Sequence, residues 1–312
     1  VNKRLLVTGG SGFVGSALIK RLLSEHREVF AVGRSEVDLP VETVKVSSFS
    51  ELGALGNKLG SVDVVVHCAA RAHIMNDDTQ DPLAEYRKVN VDGTLNLARH
   101  AAESGVKRFV FVSSIKVNGE QTLPGNPFTE DVAPAPEDPY GISKYEAEQQ
   151  LQALSAETGM ELVIIRPPLV YGPGVKGNFA SMIRLMEKGL PLPLGAVGNK
   201  RSLVALDNLV DLIVTCVDNP AAANQVFLAG DGQDLSTTEL LRGVANAMGK
   251  SAWLLPVPAG FLMLGASMLG KRAVAQRLLG SLQVDISKAR EILGWQPPVS
   301  VEEGLARAVR VD

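Results

Sequence analysis

Early in the chain a short apolar stretch, Arg4-Leu5-Leu6-Val7, runs into Gly9-Gly10-Ser11-Gly12-Phe13-Val14-Gly15 and then into a helical pattern. A strand, a loop with Gly9, Gly12 and Gly15, and a helix in that order restrict the fold more than any other feature. The glycines let the backbone turn sharply and come close to an anionic group, and the amino end of the helix faces that charge. In this context the loop is shaped for the pyrophosphate of a dinucleotide. The alternative is a strand-to-helix turn that merely tolerates glycine.

The rest of the first half alternates in the same way. Arg4–Val7, Glu28–Val32, Val62–Cys68, Phe109–Ser113 and Leu162–Arg166 read as buried parallel strands, and Phe13–Ser24, Leu83–Ser104 and Tyr140–Thr158 carry helical periodicity. Such alternation predicts an α/β fold, a Rossmann-type doubly wound parallel sheet. After Pro167-Pro168 the texture changes, with Gly172-Pro173-Gly174, Pro191-Leu192-Pro193 and Pro256-Val257-Pro258 dividing the chain into short helices and loops. This half is expected to form a smaller mixed α/β C-terminal substrate lobe over the carboxyl edge of the sheet, with Val226–Ala229 returning to it. The expected division is 1–170 for the dinucleotide domain, with returning segments around 201–230, and 171–200 with 231–312 for the lobe.

The chain has 312 residues, long enough for a substantial core, and its net charge of −3 gives no electrostatic reason to expect nucleic acid. Cys68 and Cys216 stand far apart without metal-ligand spacing and read as buried thiols of a cytoplasmic protein. The sequence opens on a strand, so no signal peptide is expected. The least polar stretch, Phe261–Leu269, is about half the length of a membrane span. A buried helix is expected there, with an interfacial anchor as the alternative.

In a site for NAD, the strand after the glycine loop usually ends in Asp or Glu, which accepts from the ribose 2′-hydroxyl. Here Val29-Phe30-Ala31-Val32 runs into Gly33-Arg34-Ser35. An arginine suits a 2′-phosphate, so NADP(H) is the expected preference and NAD(H) remains possible. The alternative makes Arg34 an exposed side chain with cofactor choice made elsewhere. Tyr140 and Lys144 are four residues apart on one helical face. A phenol with a pKa of roughly 10 is a poor acid–base group, and a drop of about three units corresponds to roughly 4 kcal/mol, which a nearby ammonium can supply. Ser114, at the end of a strand, points a hydroxyl from the carboxyl edge, where it can hold a substrate oxygen. Together these residues predict hydride exchange between a nicotinamide and an alcohol or ketone.

At this point the sequence resembles the extended short-chain dehydrogenase/reductases that act on nucleotide sugars, over nearly all of its length. His67-Cys68-Ala69-Ala70 is similar to the family's strand-four segment along the cofactor and Val89-Asn90-Val91-Asp92-Gly93-Thr94 to its helix asparagine, and Arg166-Pro167-Pro168-Leu169-Val170-Tyr171-Gly172 fits the family as well. Asp285-Ile286-Ser287-Lys288-Ala289 and Leu293-Gly294-Trp295 also fit. The resemblance implies Ser114, Tyr140 and Lys144 as the catalytic set. It implies cofactor contacts from Gly9, Gly12, Phe13, Val14, Gly15, Arg34, Ser35, Ala69, Ala70, Asn90, Tyr140, Lys144 and Pro167. Asn178 and Arg201 fall where the family holds the diphosphate of a UDP-sugar, with a surface charge as the alternative for Arg201. A homodimer through 83–104 and 140–158 is implied as well.

Departures from the family narrow the expectation. Where 4,6-dehydratases carry an Asp-Glu pair after the catalytic hydroxyl, this chain has Ile115 and Lys116, so that reaction is not expected: isoleucine is no acid. Gly33, Leu169, Asn118 and Ser47 replace residues usual in the UDP-galactose 4-epimerases. Ala70-Arg71-Ala72-His73-Ile74-Met75, Ser113–Glu120 and Pro191-Leu192-Pro193-Leu194-Gly195 resemble a bacterial surface-polysaccharide group that includes 4-ketoreductases. The expectation is therefore NADPH-dependent reduction of a UDP-4-keto-6-deoxy-N-acetylhexosamine to UDP-N-acetylquinovosamine or UDP-N-acetylfucosamine. The alternatives are an NAD-dependent UDP-hexose or UDP-N-acetylhexosamine 4-epimerase and, more remotely, a non-catalytic NADP(H) sensor. Arg71, Ser114 and Lys116 are expected near the sugar, with Lys116 either polarising a carbonyl or pairing with a neighbour, and His73 read as a loop residue.

Overall fold

A computed structural model describes residues 3–49, 52–71, 80–123 and 125–310. In chain order the elements are β1 (Leu5–Thr8), α1 (Phe13–Ser24), β2 (Val29–Gly33), β3 (Glu42–Lys45), β4 (Val64–His67), α2 (Pro82–Arg87), α3 (Thr94–Glu103), β5 (Arg108–Val112), α4 (Pro139–Thr158), β6 (Glu161–Arg166) and β7 (Leu169–Tyr171). There follow α5 (Gly177–Glu187), β8 (Leu203–Ala205), α6 (Leu206–Asp218), β9 (Gln225–Leu228), α7 (Thr237–Ala247), α8 (Ala259–Met268), α9 (Arg272–Leu279), α10 (Ser287–Leu293) and α11 (Val301–Val309). A seven-stranded sheet has the order β3-β2-β1-β4-β5-β6-β9 with every pairing parallel. Strands β7 and β8 form a separate parallel pair.

The strands are apolar on both faces because helices cover both. Leu5 and Val7 pack with α1 and α6 on one side, while Leu6, one residue out of phase, packs with α3 and α4 on the other. The order changes direction between β1 and β4, and the carboxyl ends there open a crevice in which such sheets hold ligands. The expected strands are all present, within a residue or two at their ends, and α1 has the expected bounds. Between α2 and α3 the expected single helix is interrupted by a π-helical turn, Lys88–Gly93.

Buried polar groups bind the layers together. His67 at the end of β4 lies between Thr8 of β1 (Nδ1 to Oγ1, 2.8 Å) and Thr94 of α3 (Nε2 to Oγ1, 3.0 Å). Arg108 at the start of β5 donates through Nη1 to the carbonyls of Cys216 (2.6 Å) and Asn219 (2.9 Å), closing the end of α6.

One expectation fails in the C-terminal lobe. The stretch 261–269 is helical through Met268, but it is not buried: Phe261 is 69% exposed and Met268 82%. The helix packs on α9 at the edge of the lobe, so its apolar composition does not serve the core. No helix among the described residues is long and apolar enough to cross a membrane.

Burial holds the His67 pKa down at about 3, with the Lys144 ammonium adding to the effect. The unfolded chain therefore binds a proton that the folded chain refuses, and the stability linked to His67 is present above the ordinary value and lost as the pH falls towards 3. Between about pH 7.5 and pH 5 this linkage removes about 2 kcal/mol. In His67→Gln, which keeps a donor and an acceptor, the acid-induced drop in urea-unfolding free energy shrinks by that amount; an unchanged drop would place the acid sensitivity elsewhere.

Candidate active site

The crevice beside β1 holds a cavity of about 530 Å³ that runs from Gly9, Ser11 and Gly12 past Gly33, Arg34 and Ser35 to Ala69, Ala70 and Arg71. The glycines are required by the fold of the loop itself. Gly9 has φ +70°, and a Cβ on Gly15 would lie 2.3 Å from the Gly9 carbonyl oxygen. Gly12 begins α1 without a side-chain cap, which leaves the first backbone N–H groups of the helix for an anion. Phe13 and Val14 instead turn into the core beneath the loop. Arg34 and Ser35 are exposed at the rim. The sequence expectation assigned no cofactor contact to the far wall, formed by Val46, Ser47, Ser48 and Phe49 after β3, or to the floor at Lys88, Val89 and Gly93. The π-helical turn sets that floor, a placement with no simple periodic signal.

Asn90, in the same turn, is buried and joins three elements. Its Oδ1 accepts from the Arg71 backbone N–H (2.8 Å), and its Nδ2 donates to the Arg71 carbonyl (3.1 Å) and to Ser143 Oγ on α4 (3.0 Å). Asn90 thus fastens the segment after β4 to the helix that carries Tyr140 and Lys144. Pro167 is buried behind β6, where its carbonyl accepts from the Ile115 N–H at 3.0 Å.

Helix α4 starts with Asp138 as its cap, accepting from the Gly141 N–H at 2.7 Å, and Pro139 in the first turn. Tyr140 follows at once, hydrogen-bonded to Ser114 and edge-on to the Tyr86 ring at 6.0 Å. The Arg71 guanidinium lies over Tyr86 at 5.4 Å, so Tyr86, absent from the sequence expectation, links two residues that were expected separately. Ser114 lies just past β5 and caps a short turn at Ile115–Val117. The expected hydroxyl, phenol and ammonium are brought together at the carboxyl end of β5.

The electrostatics differ from the expectation in one respect. Burial pushes the Tyr140 phenol up to about 12, the Asp138 carboxylate adds to the rise, and the Ser114 hydrogen bond opposes it. Lys144 has its own partners on β5. It is 2% exposed, donates through Nζ to the Val112 carbonyl at 2.9 Å and sits over the Phe111 ring at 4.4 Å. Burial lowers its own pKa to about 8, with Glu148 opposing the change.

Of the two roles open to Lys116, the geometry takes the pairing one. Its ammonium forms ion pairs with Asp138 and with Glu120 (3.0 Å). Ile115 is buried in a small apolar cluster with Phe128, Leu228 and Leu282, away from any acid role. Arg201 is partly buried and donates through Nη1 to the carbonyls of Arg277 (2.9 Å) and Gly280 (3.2 Å), so the surface-charge alternative does not describe it. Asn178 is exposed in the first turn of α5. His73 lies outside the described residues. Among those residues no group of three or more His, Cys, Asp or Glu is arranged for a metal ion.

Comparison with known proteins bears on the family and the fold. The model of a family described as the NAD dependent epimerase/dehydratase family matches residues 5–230. A UDP-glucose 4-epimerase of Vibrio cholerae is 52% identical over 316 aligned positions, covering 99% of this chain and 95% of that protein. The crystal structure of UDP-glucose 4-epimerase from Thermotoga maritima with UDP-glucose superimposes with a TM-score of 0.78 at 27% identity, over 98% of this chain and 97% of the other. The UDP-glucose 4-epimerase of Thermus thermophilus in complex with NAD also gives 0.78, at 26% identity and with 98% and 97% coverage.

Lys144 carries a cost that can be measured without substrate. Its folded pKa of about 8 lies below the ordinary 10.5, so the cost is present in full below pH 8 and is relieved as the pH rises from there towards 10.5. In Lys144→Met, removal of this cost outweighs the loss of about 1 kcal/mol from the Val112 carbonyl hydrogen bond. At neutral pH the variant should unfold about 2–6 °C above the parent, and the gap should close as the pH approaches 10. A lower melting temperature at neutral pH would show that the ammonium stabilises the fold.

Proposed function

The chain belongs to the NAD dependent epimerase/dehydratase family, and we propose that within this family it inverts C4 of a UDP-hexose or UDP-N-acetylhexosamine. The observation that carries the reading is the 52% identity to the Vibrio cholerae UDP-glucose 4-epimerase over almost the whole of both chains. It is supported by a site that keeps Ser114, Tyr140 and Lys144 and has Ile115 and Lys116 in place of the acidic pair of a dehydratase. The 4-ketoreductase expectation rested on loop motifs and on Arg34; the relatives favour the epimerase, which replaces it.

The residues present fit a nicotinamide dinucleotide: a cavity of about 530 Å³ with an uncapped helix N-terminus beside Gly12, and Tyr140 and Lys144 on the helix that Asn90 ties to Arg71 in the cavity wall. When bound, the nicotinamide supplies the acceptor, and then the donor, of one hydride. Tyr140 Oη takes the C4 hydroxyl proton as the hydride leaves and returns it when C4 is reduced again. Ser114 Oγ holds the same oxygen through both halves. The C4 ketone has lost its configuration, so return of hydride to the opposite face gives the epimer with no net redox change. Lys144, held at the Val112 carbonyl, carries the positive charge that this end of the site needs when Tyr140 is deprotonated. Lys116 acts indirectly, through its ion pair with Asp138, the cap of the helix that carries Tyr140. Arg201 and Asn178 are assigned to the UDP diphosphate, to which a guanidinium is suited.

Incubated with UDP-glucose or UDP-N-acetylglucosamine, the protein should produce the C4 epimer without net change in nicotinamide absorbance. Tyr140→Phe should lower kcat by about 10²–10⁴-fold while dinucleotide content is unchanged. Full activity in that variant, or net oxidation of NADPH by a 4-keto sugar with no epimerisation, would refute the assignment.

Cofactor selectivity belongs to the same proposal. Gly33 has room for a side chain, since a Cβ there meets only the Ser35 carbonyl oxygen at 3.8 Å. Gly33→Asp with Arg34→Ser should lower NADP⁺ affinity relative to NAD⁺ at least about tenfold, the scale of one lost charge-assisted contact. An unchanged ratio would remove Arg34 from the cofactor site.

A further inference from the structure

The segment 240–284 has a composition unlike the rest of the chain. In a protein with 34 acidic residues and a net charge of −3, it contains no Asp or Glu, yet carries Arg242, Lys250, Lys271, Arg272 and Arg277. The same segment holds the largest exposed apolar side chains of the molecule. Phe261, Leu264, Met268 and Leu269 are exposed on and just after α8, and Trp253 is 63% exposed on the approach to it. No residue of α8 is buried, although its sequence, Ala-Gly-Phe-Leu-Met-Leu-Gly-Ala-Ser-Met, is apolar almost throughout. An apolar helix of this kind is ordinarily covered by protein or lipid.

We propose that the α8–α9 hairpin docks the protein onto an anionic membrane surface. Three observations choose this occupant. The apolar side chains are too few to span a bilayer but match the depth of the headgroup–acyl boundary, where Phe, Leu and Trp are favoured. Lys271 and Arg272 follow the apolar helix directly, Arg277 lies one turn further on, and none of the three forms an ion pair among the described residues. The absence of carboxylates from the whole segment removes the repulsion that an anionic surface would meet elsewhere on this acidic molecule.

The hairpin is also firmly mounted. Arg201 holds the carbonyls of Arg277 and Gly280, Asn199 holds those of Leu278 (3.2 Å) and Gly280 (2.7 Å), and the Trp253 carbonyl accepts from the Leu192 N–H at 2.9 Å. Docking through it therefore places the whole lobe, rather than a flexible tail, against the surface.

The test is co-sedimentation of the full chain with phosphatidylcholine vesicles and with vesicles that also contain phosphatidylglycerol, at low and high salt. The protein should sediment with the anionic vesicles and be released by salt. Lys271→Gln with Arg272→Gln should weaken partitioning about 25-fold, or about fivefold per charge. Phe261→Ser with Leu264→Ser and Met268→Ser should abolish it with the melting temperature unchanged, since these side chains face solvent. Failure to sediment with anionic vesicles at low salt overturns the proposal, as does equal binding to both vesicle types. Self-association that the triple serine variant abolishes, without vesicle binding by the parent, also overturns it and assigns the face to a second copy.

Discussion

The arrangement of the site depends on one buried ion pair. Glu148 on α4 is 1% exposed and Arg166 at the end of β6 is 5% exposed, and their charged atoms meet at 2.6 Å. The pair is fully partnered: Glu148 also accepts from Ser113 Oγ, and Arg166 donates to Asn118 Oδ1 at 3.0 Å. Ser113 precedes Ser114 and Asn118 follows it by four residues, so one network joins the helix carrying Tyr140 and Lys144 to the segment carrying Ser114. A satisfied buried pair adds little net stability over an apolar replacement, but removal of one partner strands a charge at a cost of about 3–5 kcal/mol. Together with the Asn90–Ser143 and Lys144–Val112 hydrogen bonds it sets the rotation of α4. That helix lacks a sharply apolar face, and Ala147, Leu151 and Leu154 alone leave room for a turned helix.

The same network marks the limit of what could be read from the sequence. The glycine loop and parallel strands were legible because each follows from one local rule: glycine spacing in one case, continuous apolar runs in the other. Ser114, Tyr140 and Lys144 were legible as a set because a strand end and a helical spacing place them. Tyr86 was not, since its value comes from Arg71 on one side and Tyr140 on the other, and neither contact follows from sequence separation. The Val112 carbonyl that holds Lys144 carries no side-chain signal at all. Segment 261–269 failed for the opposite reason. Apolar composition shows that a helix seeks cover, but not whether its own chain supplies it.

Tyr140 and Lys144 also show where stability and chemistry part company. Burial disfavours the charged form of each, so the phenol rises to about 12 and the ammonium falls to about 8. For the fold alone, an apolar residue would serve better at either position. For proton exchange, two groups whose charged forms are disfavoured apart and favoured together make a pair that responds strongly to a change in local charge. Neighbouring groups keep the pair in position: Asp138 caps the helix beneath Tyr140, and Lys116 holds Asp138 in place.

Arg201 anchors the end of α9. Its backbone N–H donates to the Leu235 carbonyl at 2.9 Å, its carbonyl accepts from the Leu235 N–H at 3.0 Å, and its guanidinium reaches the carbonyls at the end of α9. Burial lowers its pKa, so its charge is less hydrated than at the surface and an anion there is felt more strongly than in bulk water. A diphosphate drawn to that guanidinium can use the donors that the carbonyls of Arg277 and Gly280 leave over. In the proposed assignment the diphosphate site and the setting of the hairpin therefore share one side chain. This coupling follows from a single arginine having more donors than the two carbonyls can use.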